Sequence, residues 1–266
     1  MKLAPPLETS VLIGALGVQP WDPLRDCRVL DRCAVTTLRP DGTPAATAVR
    51  HSTGIQGFLR LRAGSYRVLT VPQVPQYLPS LRSVTIPMPA PAWLDVMLRS
   101  SPAYAGAPYG MAVLRGTLQW GPLPAPPVRA ALPPVRWATV YAWVESADAP
   151  GAVFDVSWTR SSARGEFALF VRVAPPHDDG ASPVCTAHLE VHAAAPVSPV
   201  VRDDDDYRDL PLDDGTDAAI RAALPLKFSK DVVVAAGGDL SINQHVYDVV
   251  PPGSAPVAPQ NVVVIT

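Results

Sequence analysis

The chain has 266 residues, 48% of them apolar, which excludes a disordered polymer and leaves room for two domains with cores of their own or one large β domain. A formal net charge of −2 and an isoelectric point near 6.2 give no basic footprint, so no nucleic-acid partner is expected. The 32 prolines argue against long helices and favour short strands joined by stiff connections.

Residues 1–32 read as an extended arm carrying one short strand, Ser10–Leu16, with Trp21 anchoring the arm on a domain surface. The arm has one lysine, and Pro5, Pro6 and Glu8 stand where a cleaved signal would be apolar, so synthesis in the cytoplasm is expected. No run approaches the roughly 18 apolar residues of a membrane span. Cys27, Cys33 and Cys185 are odd in number and lack a C-x-x-C spacing, so neither a disulfide framework nor a zinc site is implied; buried, reduced thiols are expected. The 19 arginines against three lysines read as a coding bias rather than as a binding surface.

Residues 33–87 read as a first β-sandwich. CAVTTLR runs into Pro40-Asp41-Gly42, whose glycine supplies the positive φ of a tight turn. TPAATAVRHS and GFLRLR follow as strands. In SYRVLTV, Tyr66, Val68 and Thr70 share one face, and LRSVTI is a fifth strand. Asp41-Gly42-x-Pro44, Gly57-Phe58 with Leu61, and Gly64-x-Tyr66-x-Val68 resemble the carboxypeptidase regulatory-like, or transthyretin-like, β-sandwich domain over about the first third of the chain. The resemblance implies a non-catalytic domain attached to an enzyme, a surface protein or an assembly.

Residues 88–110 read as a helical linker. Pro91 suits a first helical position, and Trp93, Val96, Met97 and Ser100 then fall on one helical face over Pro91–Ser100. A second sandwich is expected over 111–200. Its strands are MAVLRGTLQW, WATVYAWVE with Thr139, Tyr141 and Trp143 on one side, VFDVSWTR, RGEFALFVRVAP and CTAHLEVHA. Gly57–Leu61 and Gly165–Leu169 look like a degenerate internal repeat. Residues 201–266 comprise an acidic linker, a short helix Asp217–Leu224 capped by Thr216 and stopped by Pro225, and a hairpin turning at Gly237-Gly238-Asp239. NVVVIT then hangs as a strand on a proline-rich tether. The fold class expected is therefore all-β: two Ig-like or transthyretin-like sandwiches, Pro-rich linkers and a tethered terminal strand.

His188, Glu190 and His192 project from one strand face and could hold a metal, with a metal-dependent enzyme as the alternative function, but a solvent-facing polar side is the preferred reading, and no cofactor is implied. Asp203–Asp206 with Asp209, Asp213, Asp214 and Asp217 fail the EF-hand spacing and read as a solvated linker. No Gly-x-Ser-x-Gly or Cys–His spacing supports nucleophilic catalysis. Trp120, Trp137, Trp143 and Trp158 would be the stacking residues of a carbohydrate- or protein-binding module. The favoured expectation is a non-enzymatic subunit of a larger protein assembly, of the phage-tail or contractile-injection kind, with self-association among its contacts. Its interaction residues would be Val262, Val263, Val264 and Ile265, a strand that must satisfy its backbone on an edge of this chain or of a neighbour.

Overall fold

The computed structural model describes residues 15–87, 91–106, 108, 110–120, 134–145, 153–173, 184–194, 207, 209–235, 238–241 and 262–265. These residues are all-β, with 17 strands and one short helix. No helix among them is long and apolar enough to cross a membrane.

The first unit runs through β1 (Leu16–Asp22), β2 (Cys27–Arg28), β3 (Cys33–Leu38), β4 (Pro44–Thr47), β5 (Val49–Arg50), β6 (Gln56–Phe58), β7 (Gly64–Pro72), β8 (Ser80–Ile86) and β9 (Ala92–Met97). One sheet has the order β4-β3-β7-β8; the other has β2-β1-β6-β5, with β9 parallel to β1. Leu16, Val18, Phe58 and Val96 from one sheet meet Val35, Val68 and Ile86 from the other in a buried core. Gly42 has φ 85, and Asp41 Oδ1 accepts from the Thr43 amide at 2.9 Å, which closes the turn predicted there.

Three expectations for this unit change. Residues 16–32 are not an arm: β1 pairs with β2, β6 and β9 and contributes Leu16 and Val18 to the core. Trp21 is half-buried within that strand. The linker 88–110 holds a strand where a helix was expected, because Leu94 and Val96 turn inward while Trp93, Asp95 and Met97 turn outward with period two. TPAATAVRHS is split at Ala48, β4 pairing with β3 in one sheet and β5 with β6 in the other. This strand switch carries the chain across the sandwich.

The second unit runs through β10 (Met111–Trp120), β11 (Thr139–Glu145), β12 (Val153–Arg160), β13 (Glu166–Arg172), β14 (Val184–His192), α1 (Asp217–Ala222), β15 (Leu226–Ala235), β16 (Asp239–Ser241) and β17 (Val262–Ile265). One sheet has the order β12-β11-β14-β15, and the other β13-β10-β16 with β17 also parallel to β10. Leu114, Leu118, Val140, Val171, Leu189 and Val232 are among the residues that fill the space between them. The helix starts where predicted, with Thr216 Oγ1 accepting from the Ala219 amide at 3.3 Å, and ends at Ala222. Among the described residues the hairpin does not form, and most of its expected second strand, LSINQHV, lies outside them. β15 gives Val232 and Val234 to the core beside β14, while β16 lies parallel to β10 in the opposite sheet, where Gly238 O accepts from the Val113 amide at 2.9 Å. The two stretches likened as a repeat also differ in place: β6 pairs with β1 and β5, β13 with β10.

The two units share packing. Val113, Ala168 and Phe170, on the outward face of β10 and β13, complete the core of the first unit. Tyr104 meets Phe170 edge-on at 5.2 Å, and the Tyr77 and Tyr104 hydroxyls both donate to Asp22 Oδ2 at 2.8 Å. Burial, then these bonds to a carboxylate, raise both phenols above their ordinary range.

Candidate functional site

The residues singled out in the sequence meet on the outer face of the β12-β11-β14-β15 sheet. Odd residues of β11 and even residues of β14 point away from the core, so the register sets Tyr141 beside Trp158 and Glu190, and Trp143 beside Val156 and His188. α1 lies across this face. Its Ile220 is buried against Tyr141 and Trp158, and its Arg221 guanidinium stands 5.0 Å from the Tyr141 ring centre and 4.9 Å from that of Trp143.

Arg221 reaches Glu190 with two bonds of 2.6 Å, one to each carboxylate oxygen. Glu190 Oε2 also lies 2.9 Å from His192 Nε2, and His192 Nδ1 lies 3.1 Å from the Leu224 carbonyl oxygen. Burial pushes the Glu190 carboxyl up, but the bonds from Arg221 and His192 outweigh it and hold the group below its ordinary range. The same bond to Glu190 raises Arg221. His188 stacks on Trp143 at 5.0 Å and 22°, and its Nδ1 lies 2.6 Å from Asp231 Oδ1 on β15.

The fold therefore separates the three residues weighed as metal ligands. His188 turns to Asp231, whereas Glu190 and His192 form a unit with Arg221, whose positive charge occupies the place a cation would take. Among the described residues no group of three or more His, Cys, Asp or Glu side chains is placed to hold a metal. Nor is this face the solvated side expected, since α1 covers it and both Glu190 and His192 are buried.

Of the tryptophans named for stacking, Trp137 and Trp158 are buried and Trp120 is partly buried against the second core. Trp143 is half-buried beneath Arg221 and beside His188. The open indole is Trp93, 54% exposed on β9, with its Nε1 donating to Asp95 Oδ1 at 2.9 Å. A Cβ at Gly17 would lie 2.6 Å from Trp93 Cε3, so only a glycine lets the ring rest on β1.

The acidic segment is partly bound rather than solvated, while Asp203–Asp206 lie outside the described residues. Asp213 is buried: Oδ1 accepts from Arg160 Nε at 2.7 Å and Oδ2 from Ser80 Oγ at 2.7 Å, joining β12 of one unit to β8 of the other. Asp214 accepts from Arg82 Nε at 3.1 Å and from the Ser83 amide, and Asp217 from Trp158 Nε1 at 2.7 Å. Arg160, Arg221 and Asp213 had no mark in the sequence beyond residue type, apart from Arg221 standing in the last turn of a predicted helix. Among the cysteines Cys27 is exposed, contrary to expectation, because β2 lies at a sheet edge; Cys33 and Cys185 are buried, and all three are free. Burial, with Asp31 nearby, lifts the Cys33 thiol to about 11.

No family profile matches the chain, and no curated protein matches it. Solved structures with a loose likeness include the TIE protein of Bacillus anthracis, at 12% identity and TM-score 0.28 over 68% of this chain and 28% of that one. The major pilin subunit of Bacillus cereus is 11% identical with TM-score 0.29 over 84% of this chain and 68% of its own. A streptococcal ancillary pilin is 13% identical with TM-score 0.27 over 74% and 61%. This chain thus spans little more than a quarter of the TIE protein. Likeness at this level assigns no function.

Proposed function

We propose that the chain is a non-enzymatic structural subunit that joins other proteins through strand edges. The observation that carries this reading is β15. It pairs with β14 along its length, and among the described residues nothing pairs with its other edge. Unpaired edges template the addition of another strand, and proteins that avoid this cover or shorten them. Three of the other edges here are managed in that way. Asp213 N donates to Leu81 O and Asp214 accepts from the Ser83 amide, covering β8; Asp155 Oδ2 accepts from the Arg172 amide on β13; β4 has four residues and begins with Pro44. β15 has ten residues and presents Val233, 58% exposed, near Val184, 63% exposed.

The terminal strand belongs to the same reading. Val262, Val263, Val264 and Ile265 pair in parallel with Thr117–Trp120 of their own chain, and an identical edge on a neighbour offers identical backbone partners. The setting proposed is a particle of repeated subunits, of the phage-tail or contractile-injection kind, made in the cytoplasm. The resemblance of the first unit to carboxypeptidase regulatory-like sandwiches is in keeping with a non-catalytic module.

Light scattering over a concentration series tests the reading. The intact chain is expected to self-associate, with amide protection on β15 rising with concentration. Val233→Lys, which places a charge beside that edge, and a chain ending at residue 250 are each expected to shift the distribution toward monomer. A monomer at every concentration, with β15 amides exchanging freely, would overturn it.

A further inference from the structure

A cavity of about 200 Å3 lies where the two units meet. Leu24, Leu98, Met111 and Phe170 give it apolar lining, and Arg99 and Trp158 line it too. Arg99 follows β9, and its backbone oxygen accepts from the Leu78 amide at 2.8 Å, which fixes the residue. Its guanidinium carbon sits 3.6 Å from the centre of the Trp158 ring. That ring is pinned in turn by its bond to Asp217.

The two carboxylates in the wall are already paired, and the exposed Arg172 also lines the cavity. Asp217 accepts from Trp158, and Asp155 accepts from the Ser157 hydroxyl at 3.1 Å and the Arg172 amide at 3.0 Å. Among the described residues no oxygen accepts a hydrogen bond from the Arg99 guanidinium and no carboxylate pairs with it directly. Burial pulls this group down to about 10, while Asp213 and Asp217 oppose the shift from farther away. A guanidinium keeps its proton and has five donors, and this one, half-buried and without a protein acceptor among the described residues, keeps those donors for water or for a bound oxyanion. Stacking occupies a face of the group and leaves its in-plane N–H edge for a fork-to-fork contact.

We propose that this cavity binds a small carboxylate-bearing ligand, with Arg99 receiving the carboxylate, Trp158 holding the guanidinium in place and the apolar wall taking the body of the ligand. A planar monoanion matches the fork of Arg99 better than a phosphate, and with Asp155 and Asp217 set against Arg99 and Arg172 the lining has no surplus of positive charge for a dianion. The volume limits the ligand to a small acid, such as a sugar acid or a carboxyl-terminal amino-acid unit. This inference rests on none of the residues of the β15 edge.

Calorimetric titration of the intact chain with D-glucuronate and with N-acetylglycine tests it, with glucose and N-acetylglycinamide as the uncharged counterparts. At least one acid is expected to bind at millimolar concentration or below and to raise the Tm. Which acid binds distinguishes a sugar source from a peptide source. Its uncharged counterpart is expected to bind about tenfold more weakly or worse, and Arg99→Met to cause a similar loss. The unliganded Arg99→Met protein is expected to melt within a few degrees of the parent, since what it loses in the free protein is the stack on Trp158. If that variant does not fold, Arg99→Lys provides the readout, because an ammonium keeps the charge without the fork and weakens binding by severalfold. No binding by either acid, or binding indifferent to the charge of the ligand and to Arg99, would overturn the proposal.

Discussion

At Glu190 a single buried carboxylate organises the outer face of the second unit, because Arg221, His192 and the two aromatic rings beneath the guanidinium all depend on where it stands. Glu190→Gln leaves the fork of Arg221 facing a neutral amide. A loss of about 2 kcal/mol at pH 7 is expected, moderated by the partial exposure of Arg221, and urea unfolding measures it. The pH dependence has a definite sign. The folded carboxyl lies below its unfolded value near 4.3, so its contribution is complete above that value and fades as pH falls through the lower, folded one. The gap between parent and variant should therefore close in acid; a gap constant down to pH 2 would show that charge is not its source. The period-two placement of His188, Glu190 and His192 on one face was legible, because a strand fixes it. Their partners were not. Arg221 lies 31 residues away on another element, and nothing in a run of aspartates distinguishes Asp213 from its neighbours until the fold brings Arg160 and Ser80 to it.

At the scale of elements, Ala92–Met97 shows how two periods compete in one short segment. Trp93, Val96, Met97 and Ser100 satisfy a helical face, while Leu94, Val96 and Leu98 satisfy a strand face, and local propensity alone does not choose. β1 chooses, by offering six parallel positions from Leu16 to Trp21. The two assignments make different demands on neighbouring residues. Val96 is fully buried and Met97 is 37% exposed, so Val96→Ala should cost about 2 kcal/mol and Met97→Ala less than about 1, read from denaturant midpoints. Comparable losses at the two sites would indicate a helical face instead. The failed hairpin has a similar origin. Gly237-Gly238-Asp239 has good turn chemistry, but turn chemistry is local, and the pairing of β16 with β10 is decided by a strand more than a hundred residues earlier. What could be read correctly, from Cys33–Leu38 through Val184–His192, were the strands whose alternation was uncontested by any second period.

Among the described residues, two of the places that join the units of the molecule differ in kind. Near Tyr104 and Phe170 the units share apolar packing, and at Asp213 they share a buried ion pair with a hydroxyl bound to it. The second is the more sensitive to a single substitution. Arg160 and Asp213 are 3% and 5% exposed at their side chains, so neither charge has water to fall back on. Removing Asp213 leaves Arg160 with neutral oxygens alone, those of Thr139 at 3.0 Å, Leu212 at 3.1 Å and Trp137 at 3.5 Å, and leaves the Ser80 hydroxyl without its acceptor. Breaking one partner of such a pair costs about 3–5 kcal/mol, which for a chain of this size lowers Tm by roughly 6–15 °C. Because Asp213 touches both units, the loss should also appear as weakened coupling. In calorimetry the intact chain is expected to melt in one transition, and Asp213→Ala to melt earlier with a broader or divided one. A solvated linker residue would behave otherwise, with a change within about 0.5 kcal/mol and an unaltered profile. The same experiment on Asp209, which is more exposed and pairs with Arg136 at 3.7 Å, gives the comparison: Asp209→Ala should leave the transition nearly where it was.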